Sequence, residues 1–198
     1  QGEGFEASIY KRFYWWEAEC TQRLGERFGL QVEKRSFREL AQAAKAIPDG
    51  EAEEAWRAWQ AQVPLDGLAE RPVLSAVKLY LALKRELSQV SNLLGSGINC
   101  LNESAFSDTT PCLAWDLLYA ERGLIWGCEA DTVSMLTQTL AIRGLGLPAM
   151  MTNLYPYLMG QAALKHERIP HFPSTTEDKE NTILAAHCGY LGVLPSSF

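Results

Sequence analysis

The chain lacks the features that mark several large functional classes. Its five cysteines, at positions 20, 100, 112, 128 and 188, include no CxxC pair, so the paired spacing of a Cys-based zinc site is missing. Three of them fall in or beside expected strands, where a reduced cysteine behaves as a small apolar residue. That usage points to a reducing, cytoplasmic setting. No run approaches the roughly 18 apolar residues of a membrane span, which argues against a membrane partner. The opening QGEGFEASIYKRF holds no apolar core of a secretory signal. There is no basic stripe: 18 Lys and Arg stand against 24 Asp and Glu, a net charge of −6. An acidic balance of this kind argues against a nucleic-acid partner. Neither a repeat of 20–50 residues nor a low-complexity tract is evident.

What is present suits a packed core. Of 198 residues, 47% are hydrophobic, with 6 Trp, 7 Tyr and 7 Phe. That length fits one domain, helix-rich over 1–92 and sheet-bearing over 93–198. The most informative stretch is 97–131, GINCLNESAFSDTTPCLAWDLLYAERGLIWGCEAD. The apolar run 97–101 is followed by Asn102 and Glu103. Thr110-Pro111 starts a helix, since proline at the first helical position gives up no needed N–H. Leu113, Leu117 and Leu118 have helical spacing, and Gly123 stops the helix. A second apolar run, 124–128, leads to Glu129 and Asp131. Two strands joined by one helix make a parallel βαβ unit. Ligands of open α/β sheets bind beyond the carboxyl ends of such strands, and here both ends carry acids.

The flanking chain fills in the architecture. Helices are expected over 7–28, 37–46 (capped by Ser36), 51–62 and 72–91, with a short strand over 30–35. The 72–91 helix places Val73, Val77, Tyr80, Leu81 and Leu87 on one stripe, while Lys84, Arg85 and Glu86 read as a solvated patch. A helix over 132–143, a strand over 148–153, a partly helical 154–169, an exposed loop over 170–180 and a strand over 181–186 complete the pattern. Strands alternating with helices predict a three-layer α/β sandwich with a mainly parallel, Rossmann-like sheet.

The polar residues at expected strand ends are Asn102 and Glu103, Glu129 and Asp131, Asn153, and His187. Carboxylates with one imidazole suit a hard or borderline divalent cation such as Mn²⁺, Mg²⁺ or Fe²⁺. Such a cation could polarise a carbonyl and a hydroxyl of a bound substrate, and a spare carboxylate could move a proton. Each residue also has a plainer role. Asp131 could be the N-cap of the next helix, and Glu129 a helix-start acid. Glu103 could be solvated, Asp108 could fix a turn, and His187 could be a hydrogen-bonded core histidine. His166 and His171 fit a surface loop.

The segments TPCLAWDLL, GCEADTVSMLTQTL, PAMMTNL and ENTILAAHCG, in this order and spacing, resemble the L-fucose/L-arabinose isomerase-like superfamily over 36–189. The resemblance implies an aldose–ketose isomerase holding Mn²⁺ through a Glu, an Asp and a His, and working through an ene-diol of a small sugar. Matched by motif, Asp131 and His187 become metal ligands. Glu103 becomes the third ligand and, with Asp131, a catalytic carboxylate; Asp108 is the second choice for that glutamate. Asn102, Glu129 and Asn153 become substrate contacts. The family's flanking domains imply that this chain is the middle part of a longer, homo-oligomeric parent and is inactive alone. The alternative on the same scaffold is a non-catalytic sugar-binding or regulatory domain.

Overall fold

The computed structural model describes residues 17–63, 69–98, 108–149, 151–158 and 178–186. Four helices come first: α1 (Glu17–Phe28), α2 (Phe37–Lys45), α3 (Asp49–Trp59) and α4 (Glu70–Leu87). Then follow β1 (Gly95–Ile98), α5 (Cys112–Arg122), β2 (Ile125–Cys128) and α6 (Thr132–Thr139). A π-helical turn at Leu140–Gly144 extends α6, and β3 (Asn153–Pro156), a 3-10 turn at Lys179–Asn181 and β4 (Ile183–Ala186) complete the described order.

The helices begin and end where local chemistry directs. Ser36 caps α2, its hydroxyl accepting the Glu39 amide at 3.3 Å, which satisfies one of the amides that a helix start leaves open. Gly29, at φ +68°, closes α1, and the Leu30 amide reaches back to the Leu24 carbonyl at 3.3 Å. A left-handed glycine is the usual means of such a close, because it has no Cβ to clash. α4 starts two residues before the expected Pro72. Proline in the first turn removes an amide that has no helical partner anyway.

α4 is the element around which the helical part packs. Val73, Val77, Leu79, Tyr80, Leu83 and Leu87 are all buried, a set too wide for a single stripe. It packs against α2, α3 and α5. α5 contributes Ala114, Trp115, Leu117 and Leu118, each no more than 1% exposed. Burying one such leucine contributes roughly 1.5–3 kcal/mol. Lys84, Arg85 and Glu86 keep partly exposed side chains, as a solvated patch does, and each also has an ion-pair partner. They bridge helices and loop: Lys84 to Glu121, Arg85 to Glu51, and Glu86 to Arg35.

The parallel βαβ unit has the anticipated connectivity. β1 and β2 run parallel, with Gly95 opposite Ile125 and Ile98 opposite Cys128, and α5 is the crossover. All four β2 residues are buried. Gly123, at φ +65°, ends α5. The structure is therefore helix-rich α/β with a small parallel sheet.

Three expectations need correction. Residues 30–35 form no strand; 31–35 are exposed, so the stretch has no buried face to hold it to a partner. The strand expected over 148–153 begins at its last residue and continues to Pro156. Pro148 lacks a donor for a ladder. Residues 154–156 are thus strand, helix begins at 157–158 as a partly helical stretch requires, and 159–169 lie outside the described residues. β3 then pairs antiparallel with β4, and the two form a sheet separate from β1–β2. Among the described residues no helix is long and apolar enough to cross a membrane.

Candidate functional site at the carboxyl edge of the parallel strands

The site residues that the structure describes best lie where β2 runs out. Glycines let α6 settle directly on the strands. A Cβ at Gly127 would stand 2.5 Å from Met135 Cγ and 2.9 Å from the Asp131 carbonyl oxygen. A Cβ at Gly97 would stand 2.6 Å from the Gly127 carbonyl oxygen and 3.3 Å from Ala130 Cα. Gln138, buried on α6, donates to the Trp126 carbonyl at 3.1 Å. The helix is thereby fixed to β2 through a polar bond as well as through Met135.

The turn after β2 is strained. Glu129 and Ala130 have φ +58° and +55°, left-handed values that cost a non-glycine residue roughly 1–3 kcal/mol each. Two backbone bonds hold the turn: Ala130 N–H donates to the Ile98 carbonyl at 3.0 Å, and Asp131 N–H donates to the Cys128 carbonyl at 3.1 Å. The first of these ties the turn to the end of β1. Asp131 then caps α6. Its Oδ1 accepts the Val133 and Ser134 amides at 3.0 and 2.9 Å, and its Oδ2 accepts the Ser134 hydroxyl at 2.6 Å. The plainer role weighed for Asp131 is thus fulfilled. Glu129 is half-buried, and among the described residues its carboxylate has no hydrogen-bond or ion-pair partner.

The remaining candidates fall in three places. Asn102, Glu103 and His187 lie outside the described residues, as do His166 and His171. Asn153 opens β3 rather than ending a strand, because β3 starts later than expected; it pairs with Ala186, the residue before His187. The antiparallel pairing therefore puts Asn153 and the carboxyl end of β4 at one end of that sheet. Asp108 belongs to a different neighbourhood. It is exposed and accepts the Ser75 hydroxyl of α4 at 3.1 Å. It lines an open groove of about 520 Å³ with Lys45, Asp49, Glu53 and Lys78, where Lys78 pairs with Asp49 at 2.5 Å.

Among the described residues, no three His, Cys, Asp or Glu side chains converge to hold a metal. Asp131 nevertheless fits a metal in one respect. A carboxylate offers about four lone-pair sites, and three are used here. One Oδ2 site remains for a single bond to a cation.

Two features went unnoticed in the sequence. Ser134 stands three residues after Asp131, and that cap spacing was the available signal. Tyr80, Lys84 and Glu121 form a cluster between α4 and α5. Tyr80 donates to Glu121 Oε2 at 2.9 Å, Lys84 bonds Glu121 Oε1, and the Lys84 ammonium lies 5.5 Å from the centre of the Tyr80 ring. Burial, then the Glu121 bond, pushes the Tyr80 hydroxyl above its ordinary value. The Glu121 bond raises Lys84 against the opposing effect of its burial. For Glu121, burial pushes upward, but the Lys84 and Tyr80 bonds together hold it below the usual carboxylate value. No signal short of the α4–α5 packing links these residues.

No family model matches the chain, and a comparison with curated proteins gives no match.

Proposed function

We propose that this chain is a domain of a metal-dependent aldose–ketose isomerase-like protein that acts on a small sugar through an ene-diol. The observation that carries the reading is the placement of Glu129 and Asp131 at the carboxyl edge of a parallel strand pair. β1 of that pair ends at Ile98, and Asn102 and Glu103 follow four and five residues later in the sequence. Ligands of open α/β sheets bind at this edge, and the reading extends the strand pair to a three-layer, Rossmann-like sandwich. Glu103, Asp131 and His187 would hold Mn²⁺ or another divalent cation, which when bound polarises a sugar carbonyl and hydroxyl. Glu103 and Asp131 are the carboxylates for moving the proton between C1 and C2. Glu129 has a carboxylate free to accept sugar hydroxyls, and Asn102 and Asn153 add amide donors and acceptors. The parent protein in this reading is a cytoplasmic homo-oligomer.

The test is proton exchange. With Mn²⁺ in D₂O, the protein containing this domain should place deuterium at C1 or C2 of a pentose or deoxyhexose. An unlabelled sugar across the whole set would overturn the isomerase reading. The second reading is non-catalytic sugar binding. It is favoured by the engagement of Asp131 in capping α6, which occupies three of the sites on that carboxylate. Sugar binding that persists without turnover in Asp131→Asn and Glu103→Gln would support it.

A further inference from the structure

The described apolar interior is divided in two. Most of it is one core, shared by α2, α4, α5 and the strand pair. No described residue of α1 belongs to that core. The two buried residues of α1, Cys20 and Leu24, form a small cluster of their own with Leu30 and with Leu136 of α6. Cys20 Sγ and Thr132 Oγ1 lie 3.8 Å apart, so α1 meets α6 at its first residue, directly after the turn that ends β2. Residues 22, 23 and 25–28 are exposed. The next positions of the two stripes, Phe28 and Leu140, are 53% and 54% exposed, so neither stripe is covered beyond Leu24 and Leu136. Arg23 pairs with Glu19 and Gln22 bonds Glu26, contacts at four-residue spacing that serve the helix and not its docking. Beyond α1 the chain turns at left-handed Gly29 and runs through 31–35, which is exposed and without regular structure. Arg35 ties the end of this link to Glu86 at 3.1 Å, and exposed ion pairs of that kind hold weakly.

We infer that α1 is a strap on the α6 flank of the strand edge: it detaches as a unit, pivoting within 29–35, while the common core stays folded, and its release bares the start of α6 at Thr132 and Leu136. Elements with few buried apolar contacts open at a lower free energy than the core, and α1 is such an element. A ligand or partner that prefers one of the two states shifts the balance between them. A helix of 12 residues is marginal in water by itself, so the released strap loses its amide protection. The strap does not depend on what the edge binds.

The experiment compares two thiols of nearly equal burial. Cys20 is 3% exposed in the small cluster, and Cys128 is 2% exposed in the common core. Labelling of the 198-residue chain by N-ethylmaleimide is followed at each thiol by peptide mass spectrometry, relative to the same thiol in the urea-unfolded chain, with hydrogen exchange alongside. Cys20 should label at least roughly tenfold faster than Cys128, and the α1 amides should exchange together, ahead of those of α4. Leu24→Ala should raise the Cys20 rate further and leave the Cys128 rate and the α4 amides unchanged. Equal relative rates at Cys20 and Cys128, or a Leu24→Ala chain that speeds both alike, would show that α1 opens only with the whole fold and would overturn the strap. Exchange that spreads gradually from Phe28 would be fraying of the helix end, and would overturn it as well.

Discussion

The helical part and the strand edge are built on opposite terms. Over 37–87 every element agrees with its surroundings. Ser36 caps α2, acids sit in the first turns of α2, α3 and α4, and none of the described residues in that range has positive φ. Within a few residues of Cys128 several such rules are broken. Two non-glycine residues in succession are left-handed, Gly127 and its partner on the neighbouring strand, Gly97, admit no Cβ without close contact, and Glu129 offers an acid with no described partner. Agreement across levels is how a chain specifies a scaffold, and its local failures concentrate where function resides. The helical part holds the strands; the strands end in a turn that costs free energy to keep.

That contrast can be broken at several points. The largest effect belongs to the core between helices. Leu79→Ala, at a side chain 1% exposed, should cost about 2–5 kcal/mol in chemical denaturation and should unfold α2, α4 and α5 together. A smaller loss, confined to one helix by hydrogen exchange, would show that the helical part is not one cooperative unit. Next is Gly127→Ala, whose new methyl meets Met135 and the Asp131 carbonyl. Overpacking of this kind costs about 1–3 kcal/mol, and amide protection should fall in α6 before it falls in α4.

Asp131→Ala comes third, at about 1 kcal/mol for a lost N-cap. Asp131→Asn should stay near the unsubstituted stability, since asparagine caps as well as aspartate. Equal melting temperatures for all three proteins would contradict the cap. The smallest effect is at the α4–α5 cluster. Glu121 titrates below its ordinary value in the folded chain, so its contribution is present above the unfolded value and is lost as pH falls through the folded one. Much of the Glu121 side chain is exposed, which limits the gain to a few tenths up to about 1 kcal/mol. Glu121→Gln should lower stability by that amount at pH 7, and the difference should shrink as pH falls from the ordinary glutamate value through the lower folded one. A difference that does not change with pH across the acid range would assign the effect to packing.

How much of this was legible differs along the chain. The βαβ unit was legible because its signals are local: Pro111 and Gly123 bracket α5, and apolar runs flank it. The α4 core stripe was legible from helical spacing, although Leu79 and Leu83 were not, because α4 is covered by three other helices rather than along one stripe. The false strand at 30–35 shows that alternation without a partner fixes nothing. The antiparallel pairing of β3 with β4 was not legible, since orientation depends on where distant segments meet. At the site, position was readable while conformation was not. The acids at 129 and 131 could be placed at a strand end from sequence. The left-handed pair and the division of the Asp131 oxygens between two amides and Ser134 could not.

The central proposal is that the strand edge, where Asp131 caps α6, also takes part in holding a divalent cation. Mn²⁺ binding to the unsubstituted chain and to Asp131→Asn, measured by calorimetry at matched melting temperature, separates cap from ligand, because asparagine keeps the one and loses the charge of the other. The account predicts saturable binding by the unsubstituted chain and at least a tenfold loss in Asp131→Asn, about 1.4 kcal/mol and so the lower end of the range for a charged partner removed. Equal affinities, or no binding by either, would leave Asp131 as a helix cap and nothing more.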